Sequence, residues 1–155
     1  MKKIVIKNIA MPASNDPDSI IRWMCEAFGF SGDAAGDNID LDILRMFTSE
    51  YGRRGAKGIS SSEIRVDQSV ARSTIIYHLN RFIEAGLVVK RGRKYYLRAP
   101  ELSRAIEEIE YDIEREMHRM LDIAREFDRM MNMPNARPKR NREAIDLNYK
   151  DVKIE

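Results

Sequence analysis

The stretch Ile59–Arg98 reads ISSSEIRVDQSVARSTIIYHLNRFIEAGLVVKRGRKYYLR, and its punctuation divides it into helix, turn, helix and hairpin. Ser60 or Ser61 offers a side-chain oxygen that can cap a short helix running through Val66. Asp67-Gln68-Ser69 is turn-forming, and a second helix is expected from about Ala71 to Ala85. Gly86 ends it, because glycine adopts the left-handed conformation that closes many helices. Leu87–Lys90 and Lys94–Arg98 then alternate as two strands around a turn at Gly92.

The second helix sorts by angle. At about 100° per residue, Ile75, His78, Leu79, Phe82 and Ile83 gather on one side, which is expected to face a core. Ser73, Tyr77, Asn80, Arg81 and Glu84 fall on the other, with Arg72 and Thr74 in the first turn. Arginine can pair with guanine or phosphate, asparagine with adenine, and hydroxyls with either. Arg91, Gly92, Arg93 and Lys94 form a hairpin tip with three cations, suited to a phosphate backbone or a minor groove. Helix, turn, polar-faced helix and basic hairpin are the parts of a winged helix-turn-helix, in which the second helix enters the DNA major groove. The expected DNA-contacting residues are Arg72, Ser73, Thr74, Tyr77, Asn80, Arg81, Arg91, Arg93 and Lys94. The same parts also fit a winged helix used as a protein-interaction module within a transcription or replication complex.

This block, SSEI…ARSTIIYHLNRFIEAGL…RGRKYYLR, resembles the winged-helix regulators of the ArsR-like superfamily, archaeal members in particular. The resemblance covers Ile39–Arg98; Thr74–Leu79 and the Glu84-Ala85-Gly86-Leu87 junction carry most of it. It implies DNA binding, with Ser73, Thr74, Tyr77 and His78 where that family places its recognition-helix residues. The long helix that follows is loosely similar to the family's dimerisation elements. The metal-sensing branch carries clustered Cys or His ligands, which are missing here, so metal sensing is not implied.

Outward from the block, Pro100 opens the longest helix, expected to reach about Met133. Its apolar residues are Leu102, Ile106, Ile109, Ile113, Met117, Met120, Ala124, Phe127 and Met131, spaced by three or four with a stutter around Met117. Roughly 34 residues at about 1.5 Å each make a rod near 50 Å, longer than one small domain can cover on that side. The stripe is therefore expected to pair with a second copy rather than form an exposed apolar patch. A pair would set two recognition helices about 34 Å apart, one turn of DNA. Methionines and Phe127 make the second half of the stripe soft and adaptable.

Toward the N-terminus, Lys3–Ile9 is rich in β-branched residues and reads as a short strand. Asn15 or Asp16 caps a helix with Pro17 in its first turn and Ile20, Met24, Ala27 and Phe28 on one face. Gly29–Asp37 ends it, and Ile39 to about Tyr51 forms the next helix, with Leu41, Leu44 and Ile43 or Phe47 inward. Gly52–Gly58 is a basic, glycine-rich loop carrying Arg53, Arg54 and Lys57. Beyond Pro134 lies a basic stretch (Arg137, Lys139, Arg140, Arg142), then Tyr149–Ile154, which alternates weakly enough to pair with Lys3–Ile9.

The formal net charge of +2 conceals a division. Ser60–Arg98 holds eight Lys/Arg against three Asp/Glu, whereas Glu101–Met131 holds ten acidic against five basic residues. A basic block followed by an acidic helix suits a DNA surface beside a solvated dimerisation helix. The single cysteine, Cys25, excludes an internal disulfide framework and reads as a small core residue. His78 reads as a structural, hydrogen-bonded histidine, and with only His118 besides it no metal cluster assembles. No phosphate-binding glycine loop or nucleophile–base pair is legible, so neither an enzyme nor a cofactor is expected. No apolar run is long enough for a membrane span, and the start lacks a signal-peptide core, so a cytoplasmic protein is expected.

The sequence thus predicts a mainly α fold with four parts. These are an N-terminal extension (1–37), a winged helix-turn-helix with a small β-wing (38–98), a long C-terminal dimerisation helix (99–133) and a tail (134–155). The expected partners are double-stranded DNA and a second copy of the chain, with no membrane.

Overall fold

The computed structural model describes residues 2–30, 38–49, 58–67 and 69–133. The Gly52–Lys57 part of the basic loop, Gln68, and the tail with its arginines and its proposed pairing strand lie outside the described residues. The chain divides into two compact units, Met1–Asp112 and Ile113–Glu155. The described elements, in order, are α1 (Pro17–Ala27), α2 (Ile39–Thr48), β1 (Ile59–Ser60), α3 (Arg72–Glu84), β2 (Val88–Arg91), β3 (Lys94–Leu97) and α4 (Leu102–Met130). The fold is mostly helical, with a small three-stranded antiparallel sheet and a long C-terminal helix.

Asp16 is the cap of α1. Its carboxylate accepts from the Ser19 amide at 2.9 Å and the Ser19 hydroxyl at 2.7 Å, and Pro17 supplies a preset first turn. A bond from the Ser14 hydroxyl, and then the Ser19 amide and hydroxyl, hold the Asp16 carboxyl well below the usual carboxylate range. The buried face of α1 is rotated by one residue from the expected one. Ile21, Cys25 and Ala27 are buried, Met24 and Phe28 are half-buried, and Ile20 faces solvent. The small Cys25 and Ala27 let α1 approach its neighbours closely where a larger Ile20 would hold it off. Burial, with the Asp40 carboxylate nearby, pushes the Cys25 thiol up to about 12, so it stays protonated at neutral pH. Across the rim, Arg45 of α2 donates to both oxygens of Asp18 on α1, at 3.0 and 2.7 Å.

Helix α2 is buried on almost every side. Ile39, Leu41, Ile43, Leu44 and Phe47 enter the core, so Ile43 and Phe47 both face inward rather than one in place of the other. With them in the apolar interior are Ile75, Leu79 and Phe82 of α3 and Ile59, Leu87 and Val88 of the sheet region. Two acids are buried on the same helix, Asp40 and Asp42. A buried carboxylate is costly unless bonded. Asp42 accepts from Arg45 at 3.2 Å and from the Asp67 amide at 3.1 Å, which fixes the turn leading into α3.

Three local expectations are corrected. Lys3–Ile9 has no regular secondary structure and joins no sheet among the described residues. Its Lys3 amide donates to the Glu84 carbonyl at 2.9 Å and its Lys7 amide to the Ala27 carbonyl at 2.7 Å. Both acceptors are helix-end carbonyls without an intrahelical donor, so the strap satisfies helix termini instead of a strand edge. Ser60–Val66 carries a single turn at Ser61–Glu63 rather than a helix. Serine side chains compete with helical backbone bonds, and here Ser60 pairs with Lys94 as part of β1 while its amide donates to the Glu63 carboxylate at 2.7 Å. The third strand itself, β1, adds to the expected hairpin through Ile59 opposite Tyr95.

The hairpin is otherwise as expected, with Val88 opposite Leu97 and Arg91 opposite Lys94. Gly86 sits at φ 84°, closing α3. Gly58 is more tightly constrained. It has φ 60°, and a Cβ there would lie 2.5 Å from Tyr96 Cζ and 2.9 Å from Lys94 Cβ. Gly58→Ala is therefore expected to destabilise the protein by roughly 1–3 kcal/mol, through left-handed strain plus overpacking against β3. Urea unfolding of the two proteins measures it; an unchanged midpoint would refute the close approach.

The first unit takes in the opening turns of α4, where Ala105, Ile109 and Asp112 are buried. An acid on that face is held by cations. Arg98 Nη1 donates to Asp112 Oδ2 at 2.7 Å, and Lys2 Nζ reaches the same oxygen. Chiefly the Arg98 bond, and then Lys2, hold the Asp112 carboxyl well below the usual carboxylate range against its burial. A depressed folded-state pKa stabilises the fold above the ordinary carboxylate value, and the contribution is lost as pH falls through the folded value. Asp112→Asn should thus be less stable than wild type at neutral pH, with the gap closing on acidification below about pH 4. Denaturant melts at neutral and acid pH check this; a gap independent of pH would contradict it.

Candidate nucleic-acid interface

Helix α3 presents two faces, as its spacing predicts. Ile75, His78, Leu79 and Phe82 are buried and Ile83 is half-buried; Ser73, Tyr77 and Asn80 are exposed, with Tyr77 61% accessible. Thr74 is half-buried near the start of the helix. The Tyr77 ring stands edge-on to the His78 ring with centroids 5.3 Å apart, which fixes its direction outward.

One expected member of the polar face points elsewhere. Arg81 Nη1 donates to Asp40 Oδ2 at 2.8 Å, and its Nη2 donates to the Gly29 and Phe30 carbonyls at 3.0 and 3.3 Å. The guanidinium also lies over the Phe30 ring. Arg81 is thereby committed to the fold. The other oxygen of Asp40 meets His78 Nδ1 at 2.7 Å, so His78 is a hydrogen-bonded interior residue. Angular sorting could not separate Arg81 from its neighbours, because a long side chain can fold back over the boundary of a helix face.

The N-terminal half of α3 and the hairpin border one cleft of about 520 Å³. Arg72 and Ile76 line it from α3, Lys90, Gly92 and Arg93 from the hairpin, Ser60 from β1, and Ser61 and Ser62 from the turn that follows. Arg72 Nε donates to the Ser61 hydroxyl at 3.1 Å, which holds the guanidinium at the cleft edge. Lys90 lies over the Tyr95 ring and Arg91 over the Tyr96 ring, so their apolar stems are supported while their charges stay outside. Among the described residues, Arg72, Lys90, Arg91, Arg93 and Lys94 make no ion pair with an acid. Cations left without acids, converging with hydroxyls on an open cleft, form a surface suited to anions.

The structure therefore brings Arg72 and Arg93 together, exposes Ser73, Tyr77 and Asn80 on α3 outside that cleft, and withdraws Arg81. Lys90 and the three serines were not expected in the site. Lys90 was legible as the first cation of the Lys90–Lys94 run, but the serines enter only because the expected helix there is a turn. At the other end of α3, the strap borders a second cleft with Lys3 and Val5 beside Tyr77, Asn80 and Glu84.

Among the described residues, no three His, Cys, Asp or Glu side chains are grouped to hold a metal ion, and no helix is long and apolar enough to cross a membrane. The chain matches no family model, no curated protein and no solved structure.

Proposed function

We propose that the protein is a homodimeric, sequence-specific DNA-binding transcription regulator of winged-helix type, resembling the ArsR-like regulators. The observation that carries this reading is the cleft where Arg72 of α3 and Lys90 and Arg93 of the hairpin stand, among the described residues, without acidic partners, while α3 also exposes Ser73, Tyr77 and Asn80. On this reading α3 enters the major groove by its N-terminal half. Ser73, Tyr77 and Asn80 meet base edges, and Arg72 and the Arg91–Lys94 tip hold phosphates or the adjoining minor groove. The acidic α4 stays clear of the duplex and supplies the contact between copies.

Counterion release makes the affinity fall steeply with salt. A gel shift with genomic DNA fragments at low and moderate salt tests the reading. Retarded complexes that weaken as salt rises support it; no complex with pure protein at about 50 mM salt refutes it. If charge reversal at Arg93 and Lys94 leaves DNA affinity unchanged but abolishes capture of a protein partner, the module serves protein contacts instead.

A further inference from the structure

The second unit presents an apolar helix face much wider than one partner helix can cover. Met117, Met120, Leu121, Ile123, Phe127, Met130 and Met131 are all exposed, Ile123 by 73% and Met130 by 67%. At about 100° per residue, the seam Met117, Met120, Ala124, Phe127, Met131 runs along one line of α4 and into the turn that follows it. Leu121 lies roughly 90° to one side of that line, and Ile123 and Met130 roughly 70–90° to the other. The apolar arc is thus about half the helix circumference, against the narrow two-position seam of a two-stranded coil.

The flanks decide what covers it. In a two-stranded coil the positions beside the seam carry charges of opposite sign that pair across the interface. Here those positions are Glu116, Leu121, Ile123, Asp128 and Met130. Three are apolar, and the two charged ones are both acidic, so they cannot pair with each other. The outer charges are already engaged within the helix: Arg119 with Glu116 at 3.0 Å, Arg125 with Asp122 at 3.2 Å, and Arg129 with Glu126. Little charge is left to select a partner of opposite sign, whereas a copy of the same apolar face is complementary to it. At typical side-chain areas the face offers on the order of 700 Å² per copy, more than a monomer commonly exposes and close to one side of a stable interface.

We propose that the Ile113–Met131 segments of four copies assemble into a four-helix bundle, making the protein a dimer of dimers. The central seam joins one pair, and the Ile123/Met130 and Leu121 flanks bury against the second pair, as the broad inward faces of bundle helices do. The proposal rests on the self-association part of the function given above. It adds that each assembly carries two paired DNA-reading units and can hold two DNA sites at once.

Sedimentation equilibrium of the full chain across the micromolar range tests it, with helical content followed by circular dichroism. The expected mass is four times the 18.0 kDa chain mass. Ile123→Glu with Met130→Glu should halve that mass with helicity retained, because only the flank is charged. Phe127→Glu, on the central seam, should yield monomers. A wild-type dimer or trimer at every concentration overturns the bundle, as does a flank variant that remains tetrameric. A wild-type monomer overturns the bundle and the paired reading together. Should a flank variant lose helicity, dilution of wild type decides, since the bundle must pass from tetramer to dimer before monomer appears. A dimer that still retards DNA removes the bundle and leaves the proposed function standing; a tetramer that ignores DNA does the reverse.

Discussion

Asp40→Ala is expected to lower the stability of the protein by about 3 kcal/mol, enough to move a thermal midpoint down by roughly 10 °C. Asp40 is 1% exposed and holds His78 at 2.7 Å and Arg81 at 2.8 Å through its two oxygens. Removing it leaves a guanidinium with only the Gly29 and Phe30 carbonyls, and strips the imidazole of its interior partner. Breaking a buried pair by deleting one member costs more than the pair contributes, because the survivor stays desolvated. The figure sits at the lower end of the usual range because the Arg81 side chain is 29% exposed and some water can rescue it. Arg81→Met should cost less, since Asp40 keeps His78. Equal losses for the two variants, or a loss under about 1 kcal/mol for Asp40→Ala, would show that this network does not hold α3 against α2.

The second large effect concerns affinity. On the proposed function, Arg72→Ala with Arg93→Ala weakens DNA binding at least about tenfold at moderate salt, and flattens the slope of log affinity against log salt by about 2. Each cation that touches a phosphate releases close to one counterion, so two removed contacts appear directly in the slope. Arg81 provides the internal control. It belongs to the same helix and was expected on the same polar face, but its guanidinium faces Asp40. Arg81→Met should leave the salt slope unchanged when assayed well below its melting temperature. Titrations of a labelled fragment across salt, repeated for wild type and both variants, separate the outcomes. A slope that Arg81→Met reduces as much as the double variant does would place the interface along the C-terminal half of α3 instead.

Residue patterns reach local structure and stop short of long-range pairing. Ile75, His78, Leu79 and Phe82 repeat at helical spacing, so α3 and its inner face were legible, as was the hairpin around Gly92. Burial of acids was not. Asp40 and Asp42 sit between Ile39, Leu41 and Ile43, and Asp112 continues the Ala105–Ile109 face of α4. An acid in phase with apolar neighbours was the available signal, but its partners His78, Arg81, Arg98 and Lys2 come from distant segments that no local spacing connects. The strap failed as a strand for the same reason. Its β-branched composition favours extension, while the carbonyls it bonds belong to the ends of α1 and α3.

The α4 stripe divides likewise. Periodicity revealed one continuous seam from Leu102 to Met131, yet within it Ile109 is enclosed in the first unit whereas Met117, Met120, Phe127 and Met131 are exposed in the second. The amino-acid sequence by itself determined α1 to α4, the hairpin, the basic tip and, Arg81 apart, the polar face of α3. These follow from periods of 3.6 and 2 and from the conformational limits of glycine, proline and serine, which are local properties. Only the tertiary structure decided which cations are available. Arg81 and Arg98 are bound to buried acids, and Arg72, Lys90 and Arg93 are gathered around one cleft with no acidic partner among the described residues. Charge pairing acts over a few ångströms between segments far apart in the chain, so it is settled by packing and not by spacing.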